Sequence, residues 1–170
     1  MNDDYNREMK LTNHLSFPLY SAARNVTNLY TPWLKPLGLT YTQYIVFLVL
    51  WEKDGVSVSE IGEKLMLDNG TLSPLLKKME KAGYIERRRC REDDRVVEIT
   101  LTEEGRSLQE KVKDIPYKVA ACIDLSNEKA QLLYGLLYEL LGNQGYGKRK
   151  AHNFYSREES GIIKWKAESM

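Results

Sequence analysis

Residues 71–91 carry seven cations, Lys77, Lys78, Lys81, Arg87, Arg88, Arg89 and Arg91, against two acids, Glu80 and Glu86. A net charge of +5 within 21 residues can neutralise backbone phosphates and release their counterions. Thr71, Ser73 and Pro74 precede the lysines on what reads as one helix, and short hydroxyl and apolar groups are types that meet base edges. Farther on, Arg91-Glu92-Asp93-Asp94-Arg95 forms a charged tip between two strand-like runs. An arginine there, Arg95, suits the negative potential of a minor groove, with Asp93 to orient it. For any single lysine, a solvated helix face is the plainer explanation. The agreement of spacing, turn, patch and tip favours a nucleic acid.

The other reactive residue types are scattered. His14 and His152 have no Cys or acid cluster at ligand spacing, so no metal site is expected. Gly62, Gly70 and Gly83 do not make a phosphate-binding loop. The carboxylates at 92–94 sit where nothing would desolvate them for acid–base work. Neither an enzyme nor a cofactor is expected. Cys90 lies between Arg89 and Arg91, whose charge favours a thiolate. It is a candidate reactive thiol, with an incidental exposed cysteine as the plainer alternative. Cys122 ends an apolar series with Ile115 and Val119 and reads first as a buried structural thiol.

The elements that must hold these residues can be traced from patterning. Ser57 with Glu60 fits a capping box, and Ile61 and Leu65 give that helix its apolar face. Asp68-Asn69-Gly70 signals a turn. A second helix over 71–82 places Leu72, Leu75, Leu76 and Met79 on one side and the lysines on the other, and Gly83 stops it. Strands are expected over 84–89 and 96–101. Two short helices, a tight turn and a hairpin make a winged helix–turn–helix, whose second helix fits the major groove. Upstream, residues 41–53, capped by Thr40, are apolar on nearly all sides and should be central to the core.

Two further stripes step by threes and fours. One runs Leu15, Leu19, Ala22, Val26, Leu29 and Trp33, with Pro18 placing the regular helix start near Ser16. The other runs Leu108, Val112, Ile115, Val119 and Cys122, with Pro116 expected to kink it. A last helix, capped around Leu125-Ser126-Asn127-Glu128, carries Leu133, Leu136, Leu137, Leu140 and Leu141. Such terminal stripes suit packing against a second copy of the chain, with a monomer core as the alternative. The expected architecture is mainly α with a small two-stranded β wing. Residues 1–34 and 102–142 would form a helical dimerisation region, and 35–101 the DNA-binding region. A basic tail over 143–170, net +3, would be disordered or locally packed.

Composition bounds these readings. The chain has 170 residues, one domain's worth, with 25 Lys plus Arg against 24 Asp plus Glu. Total charge alone would argue against a nucleic-acid partner, and only the local patch reverses that. Two cysteines cannot build a disulfide scaffold. No apolar run is long enough to span a membrane, and the polar start Met1-Asn2-Asp3-Asp4 does not read as a secretory signal. A cytoplasmic protein is expected.

The order of elements resembles the MarR family of bacterial transcription regulators. Asp93-Asp94-Arg95 followed by Val96-Val97-Glu98-Ile99-Thr100-Leu101-Thr102-Glu103-Glu104-Gly105 is similar to that family's wing and next helix. Leu39-Thr40-Tyr41-Thr42-Gln43-Tyr44 and the stretch from Leu67-Asp68-Asn69-Gly70-Thr71 to Glu80 resemble the organic-hydroperoxide sensor (OhrR-like) branch. The resemblance covers residues 10–142. It implies a homodimeric repressor on a pseudo-palindromic double-stranded operator. In that branch peroxide oxidises a cysteine in a motif Leu-Cys-Phe-x-Leu-Tyr, held by the partner subunit's tyrosines, and DNA is released. Here the motif reads Leu15-Ser16-Phe17-Pro18-Leu19-Tyr20, with matching tyrosines at Tyr20, Tyr30 and Tyr41 and Ser16 at the cysteine position.

A serine hydroxyl cannot reach sulfenic acid. Three readings of Ser16 stay open: an engineered substitution that freezes the DNA-competent state, natural divergence, or a helix cap ahead of Pro18. The retained tyrosines favour the first. The resemblance also implies a resolving role for Cys122 toward an oxidised residue 16 of the other subunit, which Ser16 leaves without a target. The implied effector is an organic peroxide or oxidative stress. The alternatives are a small phenolic ligand in the tyrosine-lined dimer cleft, or a protein-interaction module.

Overall fold

Thr40 and Ser57 begin their helices in the same way. Each side-chain oxygen accepts the N–H three residues on, at 3.3 Å from Gln43 and 3.1 Å from Glu60. Gln43 and Glu60 reach back to accept the cap N–H at 2.8 Å. Both are complete capping boxes. The computed structural model describes residues 8–90 and 96–143. In chain order it contains α1 (Ser16–Asn28), α2 (Thr31–Leu34), α3 (Tyr41–Glu52), β1 (Val56–Ser57), α4 (Val58–Leu65), α5 (Asn69–Lys81), β2 (Ile85–Arg89), β3 (Val97–Leu101), α6 (Glu103–Val112), α7 (Ile115–Ala121) and α8 (Asn127–Asn143).

The core gathers around α3, whose Tyr44, Val46, Phe47, Val49 and Leu50 are buried. Phe47 stacks on Trp51 at 5.2 Å and meets Tyr84 edge-on at 5.7 Å. Ile61 of α4, Leu72, Leu76 and Met79 of α5, and Ile99 of β3 complete it, all with no exposed surface. The sheet is antiparallel in the order β1-β3-β2, with Ile85 opposite Leu101, Arg87 opposite Ile99 and Arg89 opposite Val97. It therefore has three strands among the described residues, where the sequence suggested two. Val56-Ser57 is too short for alternation to show, and Ser57 doubles as the cap of α4.

Prolines break the long stripes where the sequence suggested continuous or kinked helices. α1 ends at Asn28, and α2 restarts with Pro32 in its first turn. Pro116 likewise sits in the first turn of α7, so α6 and α7 are separate helices. A proline's missing N–H is harmless in a first turn but breaks the ladder inside a helix. The recognition-type helix α5 starts two residues before the expected Thr71. Asp68 is its N-cap, and Asn69-Gly70 lies in its first turn. The turn before it is made by Met66 in the left-handed region, φ 56°.

Two glycines mark close approaches. A Cβ on Gly62 would lie 2.8 Å from the Leu67 carbonyl oxygen and 3.2 Å from a Leu72 methyl, so α4 can press on the turn and α5. A Cβ on Gly105 would lie 2.2 Å from the Tyr84 carbonyl oxygen, and the Gly105 carbonyl accepts the Trp51 indole N–H at 3.1 Å. Asp54 joins the end of α3 to β3 and α6. It accepts the Leu101 N–H at 2.8 Å, the Gly55 N–H at 3.1 Å and the Arg106 guanidinium at 2.6 Å. Partial burial pushes the Asp54 carboxyl up, but these donors outweigh it and hold it below the usual aspartate range.

The ends of the chain are built differently. α1 buries none of its residues, and Leu15, Phe17, Tyr20 and Val26 are exposed. On α8, Leu132, Leu133, Leu136, Leu137 and Leu141 are exposed. Between them, α7 buries Ile115 and Val119, and Lys118 lies over the Trp33 ring at 4.6 Å, tying α7 to α2. Among the described residues no helix is long and apolar enough to cross a membrane.

Candidate nucleic-acid interface

α5 owes its two faces to spacing. Leu72, Leu76 and Met79, four and three residues apart, point into the core with no exposed surface. Away from them, Pro74, Lys77, Lys78 and Lys81 are exposed, and Ser73 is half-buried at the boundary. The Thr71 N–H and hydroxyl donate to Asp68 at 2.8 and 2.9 Å, and these bonds hold the Asp68 carboxyl below its usual value. The Thr71 hydroxyl proton is therefore committed to the cap, while its oxygen can still accept. Sequence reasoning missed this cap because Asn69-Gly70 imitates a hairpin turn. The signal was there in Asp68 standing three residues before Thr71.

The cations of the patch separate into two groups. Lys77, Lys78, Lys81 and Arg89 are exposed and form no ion pair with another described residue. Arg88 is exposed but pairs with Glu86 two residues earlier on β2. Arg87 is mostly covered and reaches Glu80 of α5 at 3.7 Å. Glu80 is a site residue that the charge count treated only as a deduction. Asp93, Arg95 and Arg91 lie outside the described residues, as does the tail beyond 143. The Cys90 N–H donates to the Val96 carbonyl at 2.8 Å, closing the hairpin below that tip.

The expected sensor pocket comes together only in part. Tyr30 and Tyr41 face each other at 4.9 Å, and a third ring, Tyr44, lies 5.6 and 6.4 Å from them. Burial raises the phenol pKa of Tyr30 and of Tyr41, and with their proximity it pushes Tyr44 to about 12. All three stay neutral and able to donate hydrogen bonds at physiological pH. Ser16 and Tyr20 are exposed on α1, where Arg24 lies over the Tyr20 ring at 5.8 Å. The cap reading of Ser16 does not hold: the cap position is Leu15, in helical geometry with no side-chain bond, and Ser16 is the first helical residue. Cys122, expected to be buried, is exposed at the end of α7, its thiol donating to the Lys118 carbonyl at 3.4 Å. The stripe ends one step early because the helix ends at Ala121.

A helix pair packed through Gly62, followed by a hairpin on the same core, defines the class of winged helix–turn–helix regulators. The family model of the SarA/Rot transcriptional regulators matches residues 28–112. The organic hydroperoxide resistance transcriptional regulator of Bacillus subtilis (strain 168) is 47% identical over 133 residues, covering 78% of this chain and 90% of that protein. The regulator SarZ of Staphylococcus haemolyticus is 37% identical over 139 residues, covering 82% of this chain and 95% of its own. Among solved structures, reduced AbfR bound to DNA superposes with a TM-score of 0.68 at 32% identity, covering 84% of this chain and 99% of that one. The chain belongs to the MarR family of transcriptional regulators, alongside the organic-hydroperoxide-resistance and SarA/Rot proteins.

Proposed function

We propose that this regulator works as a homodimer on a pseudo-palindromic double-stranded operator. Each copy sets α5 in a major groove and its hairpin tip in the adjacent minor groove. The observation that carries this reading is the outward face of α5, with exposed Pro74, Lys77, Lys78 and Lys81 and half-buried Ser73 set against a fully buried Leu72, Leu76 and Met79. Lys81 and Arg89 contact phosphates, and Arg95, oriented by Asp93, enters the minor groove. Residues 1–34 and 102–142 form the dimerisation region around 35–101, and the apolar faces of α1 and α8 support that division. Transcription takes place where the chromosome is, so we place the protein in the cytoplasm, and no catalytic step is part of this reading.

The relative in Bacillus subtilis is named for organic hydroperoxide resistance, and we assign this chain to the same kind of response. Ser16 makes it insensitive to oxidation at that position, because an alcohol cannot take the path a thiolate takes. The test is operator binding with and without an organic hydroperoxide, for the chain and for Ser16→Cys. The chain should stay bound in both conditions, and Ser16→Cys should release. Release by the unsubstituted chain would move sensing to Cys90 or Cys122.

One observation supports a second reading, a response to a phenolic ligand. The neutral rings of Tyr30, Tyr41 and Tyr44 cluster together, and Asn28, Thr31, Pro32, Lys35 and Pro36, none of them one of these tyrosines, line an open groove of about 690 Å³. A melting shift with phenolic acids that also weakens operator binding would favour it over peroxide sensing.

A further inference from the structure

Arg87 behaves unlike its neighbours on β2. It stands opposite Ile99, which has no exposed surface, so the alternation of the strand turns its stem toward the core and away from the side of Glu86 and Arg88. Its side chain is 22% exposed, against 72% for Arg88. Its Nε is buried with no hydrogen-bond partner among the described residues. A buried donor left unpaired is unfavourable, so this is a poor place for a charge meant only for solvent or phosphate. The guanidinium points instead at Glu80, 3.7 Å away on the last turn of α5. Only one turn of chain separates the two. In it the Gly83 N–H donates to the Glu80 carbonyl at 2.9 Å and the Tyr84 N–H to the Met79 carbonyl at 3.1 Å. Glu80 thus holds the turn through its backbone and the strand through its carboxylate.

We propose that Arg87 is a positioning residue. Through Glu80 it fixes the angle at which the hairpin leaves α5, so that helix and wing reach adjacent grooves together, and it does not itself bind a phosphate. The inference deepens the operator-binding reading above and rests on it.

The test measures operator affinity against salt, with hydroxyl-radical footprints, for the full chain and for Arg87→Gln, Arg87→Lys, Glu80→Gln, the double variant and Arg89→Gln. Removing an acid from a DNA-facing surface ordinarily strengthens binding. Here Glu80→Gln should weaken it, as should Arg87→Gln, each by about fivefold. The double variant should be no worse than either single one, because both break the same pair. The salt slope should stay unchanged in Arg87→Gln and fall by about 0.9 in Arg89→Gln, the value for one lost phosphate contact. Protection of the flanking minor groove should fade in Arg87→Gln while that of the major grooves persists, and Arg87→Lys should restore both. If Arg87→Gln does not fold, Glu80→Gln carries the same expectation. A slope reduced by about 0.9 in Arg87→Gln, tighter or unchanged binding by Glu80→Gln, or additive losses would overturn the proposal alone. Failure of the unsubstituted chain to bind operator would remove the reading beneath it as well.

Discussion

The winged module and the terminal helices draw on the same apolar residues and put them to opposite uses. In the module, Leu72, Leu76, Met79 and Ile61 have no exposed surface. On α8, Leu132 and Leu136 are 64% and 54% exposed. Stripe spacing does not separate them, since both regions step by threes and fours. The separation lies in what is available to cover each stripe. The module has a sheet, α3 and its own helices within reach, whereas α1 and α8 project apolar faces that no other described residue covers. Periodicity reports that a face will be buried and says nothing about which chain will bury it.

The contrast can be broken most forcefully from the module side. Gly105→Ala forces a methyl onto the Tyr84 carbonyl, 2.2 Å from an ideal Cβ, and should cost about 3 kcal/mol of stability by urea titration. A loss below about 1 kcal/mol would mean that α6 is not pinned there. From the other side, Leu133→Asp combined with Leu136→Asp should leave the module's melting nearly unchanged. It should convert the dimer to monomer in sedimentation and weaken operator binding by about 100-fold, some 2.7 kcal/mol. A dimer that survives both aspartates would assign the interface elsewhere.

Asp54→Asn tests the join between module and termini, and should cost about 1–2 kcal/mol near neutral pH. The sign follows from the depressed carboxyl pKa. The contribution is full above the ordinary aspartate value of 3.8 and is lost as pH falls through the lower folded value. Melting curves of parent and variant should therefore converge in acid, and a constant gap would contradict the charge-based account. Lys77→Ala and Lys78→Ala should each reduce the salt slope of operator binding by about 0.9 and leave stability within about 0.5 kcal/mol. The smallest effect belongs to Met66→Gly, which should gain about 0.5 kcal/mol by relieving the left-handed backbone.

Much of the module was readable from local chemistry. Ser57 with Glu60, Thr40 as a cap, the buried segment around Phe47, and the opposition of leucines to lysines on α5 are short-range signals, and the structure carries each of them. What the residues did not reveal was set by contacts between segments distant in sequence. Val56 pairs with Ile99 across 43 positions, so a strand two residues long has no local signature. Asp54, just past the helix expected over 41–53, has no local pattern to mark it, and its bonds to Leu101 and Arg106 span 47 and 52 positions. Arg87 counted as surface charge until the strand register set it opposite Ile99. The site followed the same division. Exposed lysines could be placed from helical spacing alone, whereas the clustering of Tyr44 with Tyr30 and Tyr41 depends on how α2 and α3 pack.

The carboxylate of Asp54 has a consequence for how the molecule opens. Its three donors come from the turn after α3, from β3 and from α6, so none of these segments can leave without releasing the others. Hydrogen exchange at the Leu101 amide therefore reports a joint event, the hairpin base and the first turn of α6 unzipping as one cooperative unit. Fluctuations of α1 or α8, which share no part of this clasp, can run at their own faster rate and leave the DNA-facing frame intact.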